Sequence, residues 1–315
     1  MNEKTRNQIN EMKKQTIGVE IEMNNITRQK AAKIAATFFG TGRVEYTANR
    51  NGYMTWSAWD AQGREWKFSR DVSISGPDDE KCEMVTPILT YADIESLQEL
   101  CRQLRRAGAK SDATRGCGVH IHIGAKGHTP QTLRNLANIM ASHESLLAEA
   151  LKLDRSRMNR YCRTVDPNFL REANRKKPTS MARLADIWYT SQGEDYGRSQ
   201  HYNGSRYHML NLHATFTKGT VEFRLFQFDA PANGKQNGIH AGQLKSYIQL
   251  CLALSQMAKE VRTASPKPQQ NENPKYAMRT WLLRLGFIGE EFETARDILT
   301  RNLAGDAAFR HGRAA

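Results

Sequence analysis

The sequence predicts an α+β fold built on a mainly antiparallel sheet, and three observations predict it. Two pairs of strand-like segments are joined by short turns and read as hairpins. Helices with apolar stripes alternate with the strands along most of the chain. No fixed-period repeat is present, and no glycine-rich phosphate loop of the Rossmann or Walker kind joins a strand to a helix. A nucleotide, if one binds, must be held by other means.

The elements follow in order. Gly18-Val19-Glu20-Ile21-Glu22 alternates apolar and charged residues and reads as the first strand. Thr27 can cap a helix whose Ala31, Ile34, Ala35 and Phe38 share one stripe before Gly40 stops it. Val44–Thr47, Tyr53–Trp59 and Arg64–Ser69 are aromatic and β-branched, with Asp60-Ala61-Gln62-Gly63 as the turn of the first hairpin. Lys81–Thr86 reads as a strand ended by Pro87. Thr90 then caps a helix with Ile94, Leu97, Leu100, Cys101 and Leu104 inside, closed by Gly108. The strand Gly118–Gly124 comes next. Thr129 and Pro130 open a long helix carrying Leu133, Leu136, Met140, Leu147 and Leu151. Residues 191–204 read as a long loop that could cover a site. Tyr207–Phe216 and Thr220–Phe228, around Thr217-Lys218-Gly219, read as the second hairpin, and Gly238–Val261 as an apolar-faced helix.

This gives a polar N-terminal extension at 1–15, a main domain at 16–262, a flexible connector at 263–275 rich in Pro, Gln and Asn, and a C-terminal helical segment at 276–315. That last segment carries Trp281, Leu282 and Leu285 and is expected to pack on the main domain, with Arg310–Ala315 frayed. The 315 residues suffice for a real core, with 39% apolar and 25% charged residues. Met1–Gln15 lacks a signal-peptide core and no apolar run reaches membrane length, so a cytoplasmic protein with no membrane partner is expected. The five cysteines are scattered, with no Cys-x-x-Cys pair, and neither a disulfide framework nor a thiolate zinc site is expected. The net charge of +13 is concentrated between Lys152 and Arg183, where ten Lys and Arg face Asp154, Asp166 and Glu172. Such a stretch suits an anionic partner or a solvated surface, and charge alone does not choose between them.

Chemistry is concentrated in three strands. Side chains alternate between the faces of a strand, so Glu20 with Glu22, His120 with His122, and Glu222 with Arg224 each point the same way. Paired carboxylates on one face repel and lose water, a cost that a hard divalent cation offsets. The glycines flanking His120 and His122 suggest a close approach of backbone or ligand. An arginine one strand step from a ligating carboxylate suits a phosphoryl group that the metal also contacts.

These motifs together resemble the amidoligase family, carboxylate–amine ligases of the glutamine synthetase and glutamate–cysteine ligase fold, from about Gly18 to Asp229. The carriers are Gly18–Glu22; Asp71-Val72-Ser73-Ile74 with Glu83-Met84-Val85-Thr86-Pro87; Cys117–His122; and Arg206-Tyr207 through Asn211-Leu212 with Thr220–Arg224. The resemblance implies a curved antiparallel sheet with helices on its outer face, as in the glutamine synthetase catalytic domain. It implies Glu20, Glu22, Glu83, His120, Glu222 and Asp71 as ligands of Mg²⁺ or Mn²⁺, with Glu80 a rival to Asp71. His122 and Arg224 would lie on ATP phosphate, Lys67 and Asn211 on the nucleotide, and Arg224, His122 and Arg206 would act in catalysis. The implied reaction activates a carboxylate as an acyl phosphate, which an amine displaces to give an amide. Both substrates, peptide or protein among them, stay open. The Trp56, Trp59 and Trp66 hairpin or the 193–204 loop could exclude water from the labile intermediate.

Two other readings remain. One is a zinc hydrolase using His120 and His122 with His208 or His213, although the chain has no His-Glu-x-x-His helix. The other is a nucleic-acid-binding protein using the 152–183 segment.

Overall fold

The computed structural model describes residues 2–47, 52–231, 238–268 and 272–310. The expected fraying beyond residue 310 and the centre of the connector, 269–271, lie outside the described residues.

The first helix, α1 (Glu3–Lys13), starts at Asn2, whose side chain accepts from the Thr5 amide, and it buries Ile9 and Met12. β1 (Ile17–Met23), α2 (Arg28–Phe38), β2 (Val44–Tyr46), β3 (Trp56–Trp59), β4 (Glu65–Ser69) and β5 (Cys82–Val85) follow. Thr90 makes a capping box with Asp93 ahead of α3 (Ile94–Arg106). β6 (Val119–Gly124) leads to α4 (Pro130–Ala150), which begins with Thr129 as cap and Pro130 in its first turn, as the sequence predicts. The basic stretch folds into α5 (Arg155–Arg160), α6 (Pro167–Lys176) and α7 (Met181–Gln192), capped by Asp154, Asp166 and Ser180. β7 (Leu210–Asn211), α8 (His213–Lys218), β8 (Thr220–Phe226), α9 (Ala241–Glu260), α10 (Pro274–Arg284) and α11 (Glu293–Thr300) complete the described elements.

The chain divides into two compact units. One comprises Thr16–Ile121 and Phe226–Lys245; the other comprises Met1–Gln15, His122–Leu225 and Ser246–Ala315. In the first unit the strand order is β2-β3-β4-β5-β1 followed by the first half of β6. The pairings of β2 with β3, β3 with β4, β4 with β5 and β5 with β1 are all antiparallel. Register separates two faces. Val19, Ile21, Met84, Phe68, Trp66 and Ala58 are buried on the apolar one. There α2 contacts β3 and β4, its Ala31, Ala32, Ala35 and Ala36 being small enough to let the helix approach closely. The opposite face carries Glu20, Glu22, Glu83, Lys67 and Ser69.

In the second unit β6 continues from His122, and β7 pairs antiparallel with β8, Leu210 opposite Phe223 and Asn211 opposite Glu222. Here one expectation is corrected. Tyr207–Phe216 is not a long hairpin strand: Leu210 and Asn211 pair with β8, His208 bridges Arg163 instead, and His213–Lys218 is helix. Gly219, at φ 70°, closes that helix in the left-handed conformation, and the Thr217 hydroxyl donates to the His213 carbonyl. Burial of His213, Ala214 and Thr215 outweighs the β propensity of the threonines and phenylalanine.

Glu144 on α4 shows how burial sets a pH response. It is 4% exposed and accepts from the Val165 amide at 2.7 Å. Burial pushes its carboxyl up from 4.5 to about 7, which the amide bond partly opposes. A folded value above the unfolded one favours the protonated folded state. This stability is therefore full below the unfolded value and is lost as pH rises through about 7. Urea unfolding at about pH 5 and about pH 8 should show a loss on the order of 2 kcal/mol attributable to this group. Glu144→Gln should remove that part of the pH dependence; an unchanged pH profile would refute the assignment.

Candidate active site

In the first unit the site rests on three neighbouring strands. Glu22 on β1 stands opposite Glu83 on β5, which stands opposite Ser69 on β4; Glu20 stands opposite Val85, which stands opposite Lys67. The sheet thus lays two rows of polar groups side by side. His120 enters from β6. Its Nδ1 lies 3.1 Å from Glu20 Oε2 and its Nε2 3.8 Å from Glu22 Oε1. The Gly118 amide donates to Glu22 Oε2 at 2.6 Å, the close backbone approach that a glycine before this strand suggested.

Asp71 reaches the same place from a loop. Its Oδ1 accepts from both the amide and the hydroxyl of Ser73 at 2.7 Å, fixing the turn. The loop lies close against Gly116, where a Cβ would come within 2.7 Å of the Ser73 carbonyl. At φ 69° Gly116 is also left-handed, so both its conformation and the close approach require glycine.

Ligand atoms of Glu20, Glu83 and His120 lie within 4.8 Å of one another, and so do those of Glu22, Asp71 and Glu83. Glu83 belongs to both groups. Three carboxylates at such separation repel strongly unless a cation lies among them, and an oxygen-rich donor set with one imidazole suits a hard divalent ion. The donor chemistry therefore fits Mg²⁺ or Mn²⁺. Among the described residues Glu80, the rival to Asp71, belongs to no such group. Lys67 is exposed on this face, 3.6 Å from Glu65, and two strands, or about 10 Å, from Glu20.

The second unit carries the other candidate residues. Arg224 Nη1 meets Glu222 Oε1 at 2.5 Å, Asn211 Nδ2 donates to Glu222 Oε2 at 2.6 Å, and His122 Nε2 lies 3.8 Å from Glu222 Oε1. All four are less than 10% exposed. His122 Nδ1 and the Thr220 hydroxyl are 2.9 Å apart, so Thr220, which the sequence reading did not single out, orients the imidazole. The Asn211 Oδ1 atom is buried with no hydrogen-bond partner among the described residues, leaving an acceptor beside Glu222. The Arg206 and Arg224 guanidiniums lie 5.7 and 5.8 Å from the ring centre of Tyr207.

The segment before Arg206 is held by side chains. Asn203 Nδ2 donates to the carbonyls of Glu194 and Tyr196 at 3.1 and 3.2 Å, and Asn203 Oδ1 accepts from Ser205. This bracing presents Arg206. Trp66 is core: it is buried, donates to Asp60 and packs 4.9 Å from Phe39. The histidines offered for zinc are engaged elsewhere. His208 Nδ1 bonds the Thr164 carbonyl, and His213 lies between the Tyr189 hydroxyl and the Gln200 carbonyl. Burial pushes both imidazoles below their usual range, and among the described residues neither belongs to a potential metal-binding group. All five cysteines are buried, and burial pushes Cys82 and Cys101 up to about 12, which makes them poor nucleophiles.

The chemistry of the carboxylate-lined sheet face suits a divalent metal, and that of the second set of residues, rich in guanidinium and imidazole, suits an anion. Residues 13–255 match the family described as "putative amidoligase enzyme". The chain belongs to this family. No curated protein matches it. Among solved structures it is similar to a bifunctional glutathione synthetase from Pasteurella multocida, with 12% identity and a TM-score of 0.47. The match covers 96% of this chain and 49% of that one, so the chain spans about half the length of that protein. No described helix is long and apolar enough to cross a membrane.

Proposed function

We propose that the chain is an ATP-dependent carboxylate–amine ligase that forms an amide bond through an acyl phosphate, on a fold of the glutamine synthetase catalytic type. The observation that carries the proposal is the acidic face of the first unit, where Glu83 is common to two potential metal-binding groups. Family membership supports amide formation, and the donor set supports Mg²⁺ or Mn²⁺.

In this reading Glu20, Glu22, Glu83, Asp71 and His120 hold metal, with Glu222 contributing a further carboxylate. A bound cation would neutralise phosphate oxygens and the substrate carboxylate. Arg224, held in place by Glu222, stabilises charge on the transferring phosphoryl group. His122, oriented by Thr220, donates to a phosphate oxygen, and Arg206 adds positive charge beside Tyr207. Lys67 and Asn211 contact the nucleotide, Asn211 through its unpartnered Oδ1. Two substrates are required, a carboxylate and an amine, and a peptide or protein can supply either.

Among the described residues neither His208 nor His213 belongs to a potential metal-binding group, which counts against the zinc-hydrolase reading, and nucleic-acid binding leaves the acidic face without a role. The test is ADP formation by the full chain with Mg²⁺ and panels of acids and amines. The proposal expects ADP only when both substrates are present; amide formation that proceeds equally well without ATP would refute it.

A further inference from the structure

Two guanidiniums of the second unit are deeply buried without a carboxylate in ion-pair contact among the described residues. Arg157 on α5 is 3% exposed and Arg206 is 8% exposed. Arg157 Nη2 donates to the Arg224 carbonyl at 3.3 Å, and its Nε has no hydrogen-bond partner among the described residues. Arg206 Nη1 donates to the His201 carbonyl at 3.0 Å. Carbonyls satisfy donors but do not neutralise charge, and a buried cation without a counter-ion is costly. Asp154, at the start of α5, feels the charge of Arg157.

Arg157, Arg224 and Arg206 are connected. The C-terminal end of α5 braces Arg224 from two sides, Arg157 at its carbonyl and the Tyr161 carbonyl accepting from its Nε at 3.4 Å. Both Arg157 and Arg224 draw down the Cys162 thiol, which burial pushes up, so both charges lie close to one sulfur. Arg224 in turn shares the Tyr207 ring with Arg206. Arg157 and Arg206 therefore both neighbour Arg224, which pairs with Glu222, and positive charge is concentrated in a buried place.

We infer that Arg157 completes, with Arg224 and Arg206, an anion subsite for a ligand carrying two or more phosphate groups, and that Arg157 also positions Arg224. The identity of that ligand as a nucleotide rests on the proposed ligase function; binding of the polyphosphate group itself does not. Arg157 lies within the run of basic residues and has no role in the motifs around it, yet it is the buried member of its helix.

The test is calorimetric titration of the metal-free full chain with pyrophosphate, a probe with no nucleoside and no amide chemistry. Wild type is expected to bind it, and Arg157→Gln to bind about tenfold more weakly or worse. Arg157→Lys should recover part of the affinity, because it restores charge but not the planar fork. Circular dichroism establishes which variants fold; if Arg157→Gln does not, a loss of about threefold or more in Arg157→Lys decides the matter. Wild-type affinity in either folded variant, or no pyrophosphate binding by wild type, would overturn the inference. Arg157-dependent pyrophosphate binding without any ATP turnover would uphold the subsite and count against the ligase reading alone.

Discussion

Glu83→Gln is expected to abolish metal-dependent nucleotide turnover while making the metal-free protein more stable. Glu83 is the carboxylate shared by the Glu20–His120 group and the Glu22–Asp71 group, so its loss weakens both. Removing electrostatic stabilisation at a transferring phosphoryl group costs about 10²–10³-fold in rate, and the loss of a shared ligand belongs at or above the upper end. The same change relieves repulsion between carboxylates within 4.8 Å of each other. Metal-free stability should therefore rise, by on the order of 1 kcal/mol in urea unfolding. Mg²⁺ should stabilise the wild type and leave Glu83→Gln unchanged. Asp71→Asn touches one group and should have a smaller effect. A Glu83→Gln protein that still gains stability with Mg²⁺ would contradict the assignment.

Arg224→Ala is expected to lose both activity and stability. Arg224 is 4% exposed and pairs with Glu222, which is 2% exposed, so the truncation removes a guanidinium from a buried carboxylate. Breaking one partner out of a buried pair costs about 3 kcal/mol or more. Under the proposed function, in which the guanidinium stabilises charge on the phosphoryl group, turnover should fall by about 10²–10³-fold. Arg224→Lys should restore part of the stability but little of the activity, because the ammonium lacks the planar fork that meets Glu222 and phosphate together. Arg224→Ala combined with Glu222→Gln should recover stability relative to Arg224→Ala alone while remaining inactive. These double-mutant measurements separate the structural role of Arg224 from its chemical one.

The alternating strands made much of the candidate site legible from residues alone. Period-two spacing placed Glu20 with Glu22 and His120 with His122, and the structure adds that His120 lies between the two glutamates. Both strands of the first hairpin, the capped helices α2, α3 and α4, and the antiparallel pairing were likewise readable from turn and cap chemistry. Asp71 was ambiguous against Glu80 because neither lies on a strand, where period-two alternation would fix direction; in the structure the Ser73 turn holds Asp71, which groups with Glu22 and Glu83, whereas among the described residues Glu80 joins no such group. The Tyr207–Phe216 segment misled because threonine and phenylalanine favour strands, whereas the helix there depends on a glycine cap and on burial. Arg157 was hidden for a different reason. In a run of ten basic residues one buried guanidinium looks like its exposed neighbours, and only packing tells them apart.

Chromatographic analysis of nucleotide products from the full chain shows whether it couples ATP cleavage to amide formation. With ATP, Mg²⁺ and panels of carboxylates and amines, the account predicts ADP and phosphate released in step with a new amide, and none from Glu83→Gln. Amide hydrolysis without nucleotide consumption, accompanied by tightly held zinc, would contradict it.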